Sequence, residues 1–167
     1  KDLVEWFKKR PLRLETKSFR CVHACWDPQE MDILSKYVGI DGVASDDAIF
    51  REASRDNASI YRLLYGTDIQ MPWGVTFRDP DGVLHRNCRI RWWIESARPT
   101  WKELLISRFS GLERFPDSVV PSALFRTSPP QKITFIGHYW LEPKSPKTPL
   151  TPMVACLDYS AGSGGPV

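Results

Sequence analysis

The stretch Lys132-Ile133-Thr134-Phe135-Ile136-Gly137-His138 constrains this chain more than any other. Its β-branched and aromatic residues read as a buried strand that runs straight into a Gly-His turn. A second stretch, Phe19-Arg20-Cys21-Val22-His23-Ala24, has the same build, a short apolar strand with a histidine at its carboxyl end. The chain has three histidines, His23, His85 and His138, so two of the three stand in matching settings. In open α/β sheets ligands gather at the carboxyl ends of strands. Imidazole is a common nitrogen ligand for zinc, iron, manganese and related ions. On the residues alone two readings stay open: each histidine is a hydrogen-bonded residue at a strand end, or the pair holds a metal.

Around these strands the pattern alternates between elements. Leu3, Val4 and Phe7 at helical spacing mark an amphipathic helix that stops before Pro11, and residues 12–14 form a brief strand. Asp27 can cap a helix with Pro28 at its first position, running through Met31, Ile33, Leu34 and Tyr37. Ser45-Asp46-Asp47 opens another helix carrying Ile49, Phe50, Ile60, Leu63 and Leu64, with a polar middle over residues 54–59 that can break it. Residues 74–78, the Asp79-Pro80-Asp81-Gly82 turn and residues 83–95 read as a hairpin with a long second arm. A short helix over residues 100–107, a Pro/Ser-rich surface loop over 111–131 and a last strand over 153–159 complete the chain. The expected fold class is α/β, one domain over residues 1–167. Its core sheet comes from residues 1–37 and 131–167, and residues 38–130 are inserted as a cap. Both ends read as cut, because the chain opens on a helix without Met and stops just after Gly164-Gly165-Pro166, so a fragment is expected.

Charge and composition narrow the function classes. A net charge of +3 and a pI near 8.7 fall short of a nucleic-acid binder, whose pI usually exceeds about 9 with the charge clustered on one face. Arg89 and Arg91 share one face of their strand; they either meet a phosphate or form an ordinary half-exposed strand face. No apolar run reaches membrane-spanning length and no signal or transit peptide is present, so no membrane partner is expected and the cytoplasm is the expected compartment. Cys21, Cys25, Cys88 and Cys156 sit among apolar residues and read as buried free thiols of a reducing compartment.

Val22-His23-Ala24 resembles the fourth motif of calcineurin-like metallophosphoesterases, a strand followed by His and small residues. Phe135-Ile136-Gly137-His138-Tyr139-Trp140 resembles their fifth, a strand ending in Gly-His. Cys156-Leu157-Asp158-Tyr159-Ser160, followed by Gly162, Gly164 and Gly165, is similar to the Asp-containing strand and glycine turn beyond it. The likeness is to serine/threonine phosphatases of the PPP type and to diadenosine tetraphosphatases, and the middle resembles inserts of bacterial metallophosphoesterases. It implies a four-layer α/β/β/α sandwich and a phosphoric ester hydrolase using two divalent ions, Mn, Fe or Zn, that clamp the phosphate and activate a water. It further implies that His23 and His138 ligate one ion and that Asp158 orients a ligating histidine or caps its turn. Read from its own place in the sequence, Tyr139 beside His138 either bonds substrate or packs, as Arg89 and Arg91 either meet a phosphate or form a strand face. A phosphorylated small molecule or phosphoprotein is the implied substrate.

Two departures bear on that expectation. Many members carry a second His two places after the first in the fifth motif; here that place is Trp140, as in PPP-type enzymes, which also lack it. The family's first three motifs, Asp-x-His, Gly-Asp-x-x-Asp and Gly-Asn-His-Asp/Glu, do not occur in these 167 residues. The remaining ligands and the catalytic residues are therefore expected upstream, and this chain alone is expected to be inactive. The alternative is a non-catalytic protein- or peptide-interaction module using the Trp-rich middle, Trp73, Trp92, Trp93 and Trp101. His23 and His138 side by side in one polar cleft would oppose that alternative.

Overall fold

The computed structural model describes residues 2–46, 58–78, 82–106 and 115–166. Two of the expected strands form as the β-branched and aromatic runs require: β2 (Phe19–Val22) and β7 (Ile133–Ile136). They pair in parallel, and β8 (Val154–Cys156) joins the far side of β7, also in parallel. β1 (Arg13–Glu15) pairs antiparallel at the other edge, giving a four-stranded sheet of order β1-β2-β7-β8. Two two-stranded sheets complete the β structure among the described residues: β3 (Asp68–Gln70) with β6 (Asn87–Arg89), and β4 (Phe77–Arg78) with β5 (Leu84–His85). With short helices between them, the chain is mixed α/β with small sheets.

Helix α1 (Asp2–Lys8) leaves Leu3, Val4, Trp6 and Phe7 exposed. Helix α2 (Pro28–Ile33) begins as its sequence dictates. Asp27 accepts the amide protons of Gln29 and Glu30 through its side chain, and Pro28 fills a first-turn position where no amide is needed. Helix α3 (Ala58–Tyr65) packs on α2; the part of its expected length that falls on residues 47–57 lies outside the described residues. Helix α4 (Trp101–Leu104) carries a capping box between Thr100 and Glu103.

The chain divides into two compact units, Lys1–Tyr65 with Pro130–Val167, and Gly66–Pro129. The insert was expected to begin at residue 38, whereas the second unit begins at Gly66. Residues up to Tyr65 belong with the first unit because α3 is bonded to it. Arg62 pairs with Asp27 and Glu30, Ser59 donates to Glu30, and the Leu63 carbonyl accepts from Ala24 and Cys25. The first unit's core comprises Val22, Ala24, Cys25, Leu34, Ile60, Leu63, Ile136, Val154 and Cys156 around the sheet. In the second unit Ile90, Trp92, Trp93, Trp101, Leu104, Leu105 and Val120 are buried. The expected long hairpin arm is two short strands there, split at Arg86: Leu84–His85 pairs back to Phe77–Arg78, and Asn87–Arg89 turns to Asp68–Gln70. Residues 79–81 of its turn lie outside the described residues.

Candidate metal centre

The three parallel strands β2, β7 and β8 end side by side, and each end carries a group able to bind or orient a metal. The register pairs Cys21 with Phe135 and Phe135 with Ala155. Continued past the strand ends, it sets His23 level with Gly137, and His138 level with Asp158. The Gly137 amide donates to the His23 carbonyl at 2.8 Å, which closes the gap between the two strand ends. A Cβ at Gly137 would stand 3.4 Å from that same carbonyl, so glycine keeps the two segments close. The imidazoles of His23 and His138 lie with ring centres 5.2 Å apart, inclined by 47°.

His138 faces this cleft because of its backbone. It holds φ 62°, and the Tyr139 amide donates to the Gly137 carbonyl at 2.8 Å. That bond across one residue with a positive φ is the rarer, strained kind of γ-turn. The turn throws His138 outward and drives Tyr139 inward, to 4% exposure. Trp140, also at positive φ (46°), comes back to the surface and lies 5.2 Å from the His138 ring. Beyond β8, Ser160 adopts φ 63°; its amide donates to Asp158 Oδ1 and its hydroxyl to the Leu141 carbonyl. Leu141 in turn donates its amide to the Asp158 carbonyl, so the loops after β7 and β8 are laced together.

The resulting open cleft, roughly 360 Å³, is lined by Cys21, His23, Phe135, Gly137, His138 and Asp158 among others. Packing around His23 pulls its pKa below the ordinary imidazole value, and the Asp158 carboxylate opposes that shift. The ring itself is exposed, so the dehydration is partial. A neutral imidazole at pH 7 is the form that ligates. Burial pushes the Cys21 thiol up, which makes it a poor ligand and nucleophile here.

Two imidazoles on one tetrahedral ion, each bound at about 2.0–2.1 Å, have ring centres roughly 5 Å apart. The separation of His23 and His138 matches that geometry. Among the described residues no group of three or more His, Cys, Asp or Glu could hold a metal ion. Asp158 caps its own turn and acts on His23 through its charge.

The other expected site residues are Tyr139, Arg89 and Arg91. Tyr139, read as either bonding substrate or packing, is buried and does not line the cleft, because the γ-turn points it into the first unit. Arg89 and Arg91 belong to the second unit. Arg89 is bonded to Asp68 at 3.0 Å, and Arg91 reaches the Glu103 carbonyl at 3.5 Å. Trp92, Trp93 and Trp101 are core residues of that unit, leaving Trp73 alone of the four fully exposed, at 102%. All four cysteines are free, and burial raises the Cys88 thiol to about 12. No described helix is long and apolar enough to cross a membrane.

Sequence reasoning missed Tyr65. It ends α3 and meets the His138 ring edge-on, 5.3 Å between centres at 89°. Its one local signal was Tyr61 four residues earlier, on the same helix face. Comparison with protein-family models, with curated proteins and with solved structures finds no match for this chain.

Proposed function

We propose that this chain supplies part of the dinuclear metal site of a calcineurin-like metallophosphoesterase, an enzyme that hydrolyses phosphate esters of small molecules or phosphoproteins. One observation carries the proposal: His23 and His138, far apart in sequence, meet in one cleft at the carboxyl ends of neighbouring parallel strands. In this reading the four-stranded sheet is one part of a four-layer α/β/β/α sandwich. The two imidazoles hold one divalent ion, and the ligands of the second ion come from residues outside these 167. Divalent ions in such a site clamp the phosphate and lower the pKa of the attacking water. The residues of this chain orient that chemistry. The γ-turn aims His138 into the cleft, Gly137 keeps the strands close, and Asp158 supplies negative charge beside His23.

Of the four tryptophans on which the interaction-module reading rests, Trp92, Trp93 and Trp101 are buried and Trp73 is exposed. Manganese titration followed by NMR tests the metal reading directly. The ring signals of His23 and His138 should broaden at the lowest Mn²⁺ concentrations, before those of His85, and His138→Ala should abolish the preference. Equal broadening of all three histidines would overturn the proposal.

A further inference from the structure

A strand-end histidine at the apex of a γ-turn is free to choose among side-chain rotamers unless something outside the turn selects one. A ligand needs a single orientation, held by its surroundings. The His138 ring meets the rings of His23, Trp140 and Tyr65. His23 belongs to the site and Trp140 to the same loop. Tyr65 comes from a different element.

We infer that Tyr65 is a positioning residue for His138, and that α3 exists in this place to carry it. The edge-on contact sets one side of the imidazole. Tyr61 stacks on Tyr65 at 4.6 Å and 20°, which limits the rotation of the tyrosine itself. The helix is anchored to the very segment that follows His23. The Leu63 carbonyl accepts from the amides of Ala24 at 2.9 Å and Cys25 at 3.2 Å. Arg62 Nη1 reaches Asp27 at 3.1 Å and Glu30 at 3.3 Å, and Ser59 bonds Glu30 at 2.6 Å. Asp27 is nearly fully buried and also caps α2, so this junction is fixed from both sides. Tyr65 thus relays the position of the His23 segment to the His138 ring. Core packing does not explain so large a ring there, since Tyr65 remains 42% exposed.

The functional consequence rests on the metal-site reading; the positioning itself does not. The experiment separates the two, using the full chain and zinc as the probe. Without metal, a nuclear Overhauser contact between the Tyr65 and His138 rings is expected. Tyr65→Leu should shift and broaden the His138 ring signals while leaving those of His85 in place, and Tyr65→Phe should restore the wild-type spectrum. Zinc affinity should fall about tenfold in Tyr65→Leu, the low end of what losing an orienting partner costs, and recover in Tyr65→Phe. Absence of the wild-type contact, or unchanged His138 signals in Tyr65→Leu, would overturn the inference. If Tyr65→Leu loses its folding transition, the wild-type contact decides alone. If wild type binds no zinc yet the His138 signals respond to Tyr65→Leu, positioning stands and the metal reading falls.

Discussion

His138, Trp140 and Ser160 hold left-handed backbone conformations that side chains with a Cβ rarely adopt, and all three lie in the two loops that build the cleft. Each such residue stores about 1 kcal/mol or more, which the surrounding structure must over-determine. Three hydrogen bonds do so here: the Gly137 amide to the His23 carbonyl, the Leu141 amide to the Asp158 carbonyl, and the Ser160 hydroxyl to the Leu141 carbonyl. Strain that gathers in the loops around a cleft, with His138 lining it, is where functional strain is usually found. It also gives a clean measurement. His138→Ala and His138→Gly both remove the imidazole, but only glycine relieves the φ of 62°. In urea denaturation the glycine variant should be the more stable of the two by about 1 kcal/mol, even though glycine elsewhere loosens a chain. If the alanine variant proves equally or more stable, the turn is unstrained and the argument from strain fails.

At the scale of elements, the sheet edge is the informative place. β1 is short and exposed, and its Glu15 is the hinge of a small charge cluster, accepting from Lys132 Nζ at 2.8 Å and Arg20 Nε at 2.9 Å. Lys132 immediately precedes β7, so the cluster ties β1 across β2 to β7. Those bonds, Lys132 first, hold the Glu15 carboxyl below its ordinary pKa of 4.5. The unfolded chain therefore binds the proton more readily than the folded one. The contribution is fully present above about pH 4.5 and is lost as pH falls through the lower folded value. Glu15→Gln should reduce stability at neutral pH by at most about 1 kcal/mol, since the groups are partly exposed. The difference should vanish in acid; a deficit that persists there would assign it to packing instead. The strands and the Asp27 cap were legible in the sequence because their causes are local: runs of β-branched and aromatic residues, and an Asp-Pro pair. The split of the hairpin arm at Arg86 was not, because Asn87–Arg89 follows a tertiary partner, Asp68–Gln70, rather than its own periodicity. Tyr65 was hidden for the same reason. Nothing in the spacing of α3 says that its last residue ends against a histidine brought in by another strand.

At the scale of the whole molecule, the resemblance implied that His23 and His138 stand side by side, and their ring centres lie 5.2 Å apart. The ligand count, on which activity turns in the proposed reading, was legible in the sequence, where the family's first three motifs do not occur. A two-metal hydrolase needs a bridging carboxylate and several further ligands to hold both ions and to bring the attacking water towards a pKa of about 7. The cleft offers two imidazoles and one nearby carboxylate, and no described cluster of three ligating residues. Asp158 already caps its turn through Ser160, so recruiting it as a ligand would cost that bond. Two imidazoles leave the charge of a divalent ion unbalanced, and no group of ligating residues for a second ion stands among the described residues. This chain by itself should therefore bind manganese weakly and show no manganese-dependent hydrolysis of nitrophenyl phosphate. A longer protein that supplies the first three motifs should hydrolyse it and lose most of that activity on His138→Ala. Turnover by the isolated chain, abolished by the same substitution, would sink this account. It would mean that a second copy, or residues now seen as structural, complete the centre around His23 and His138.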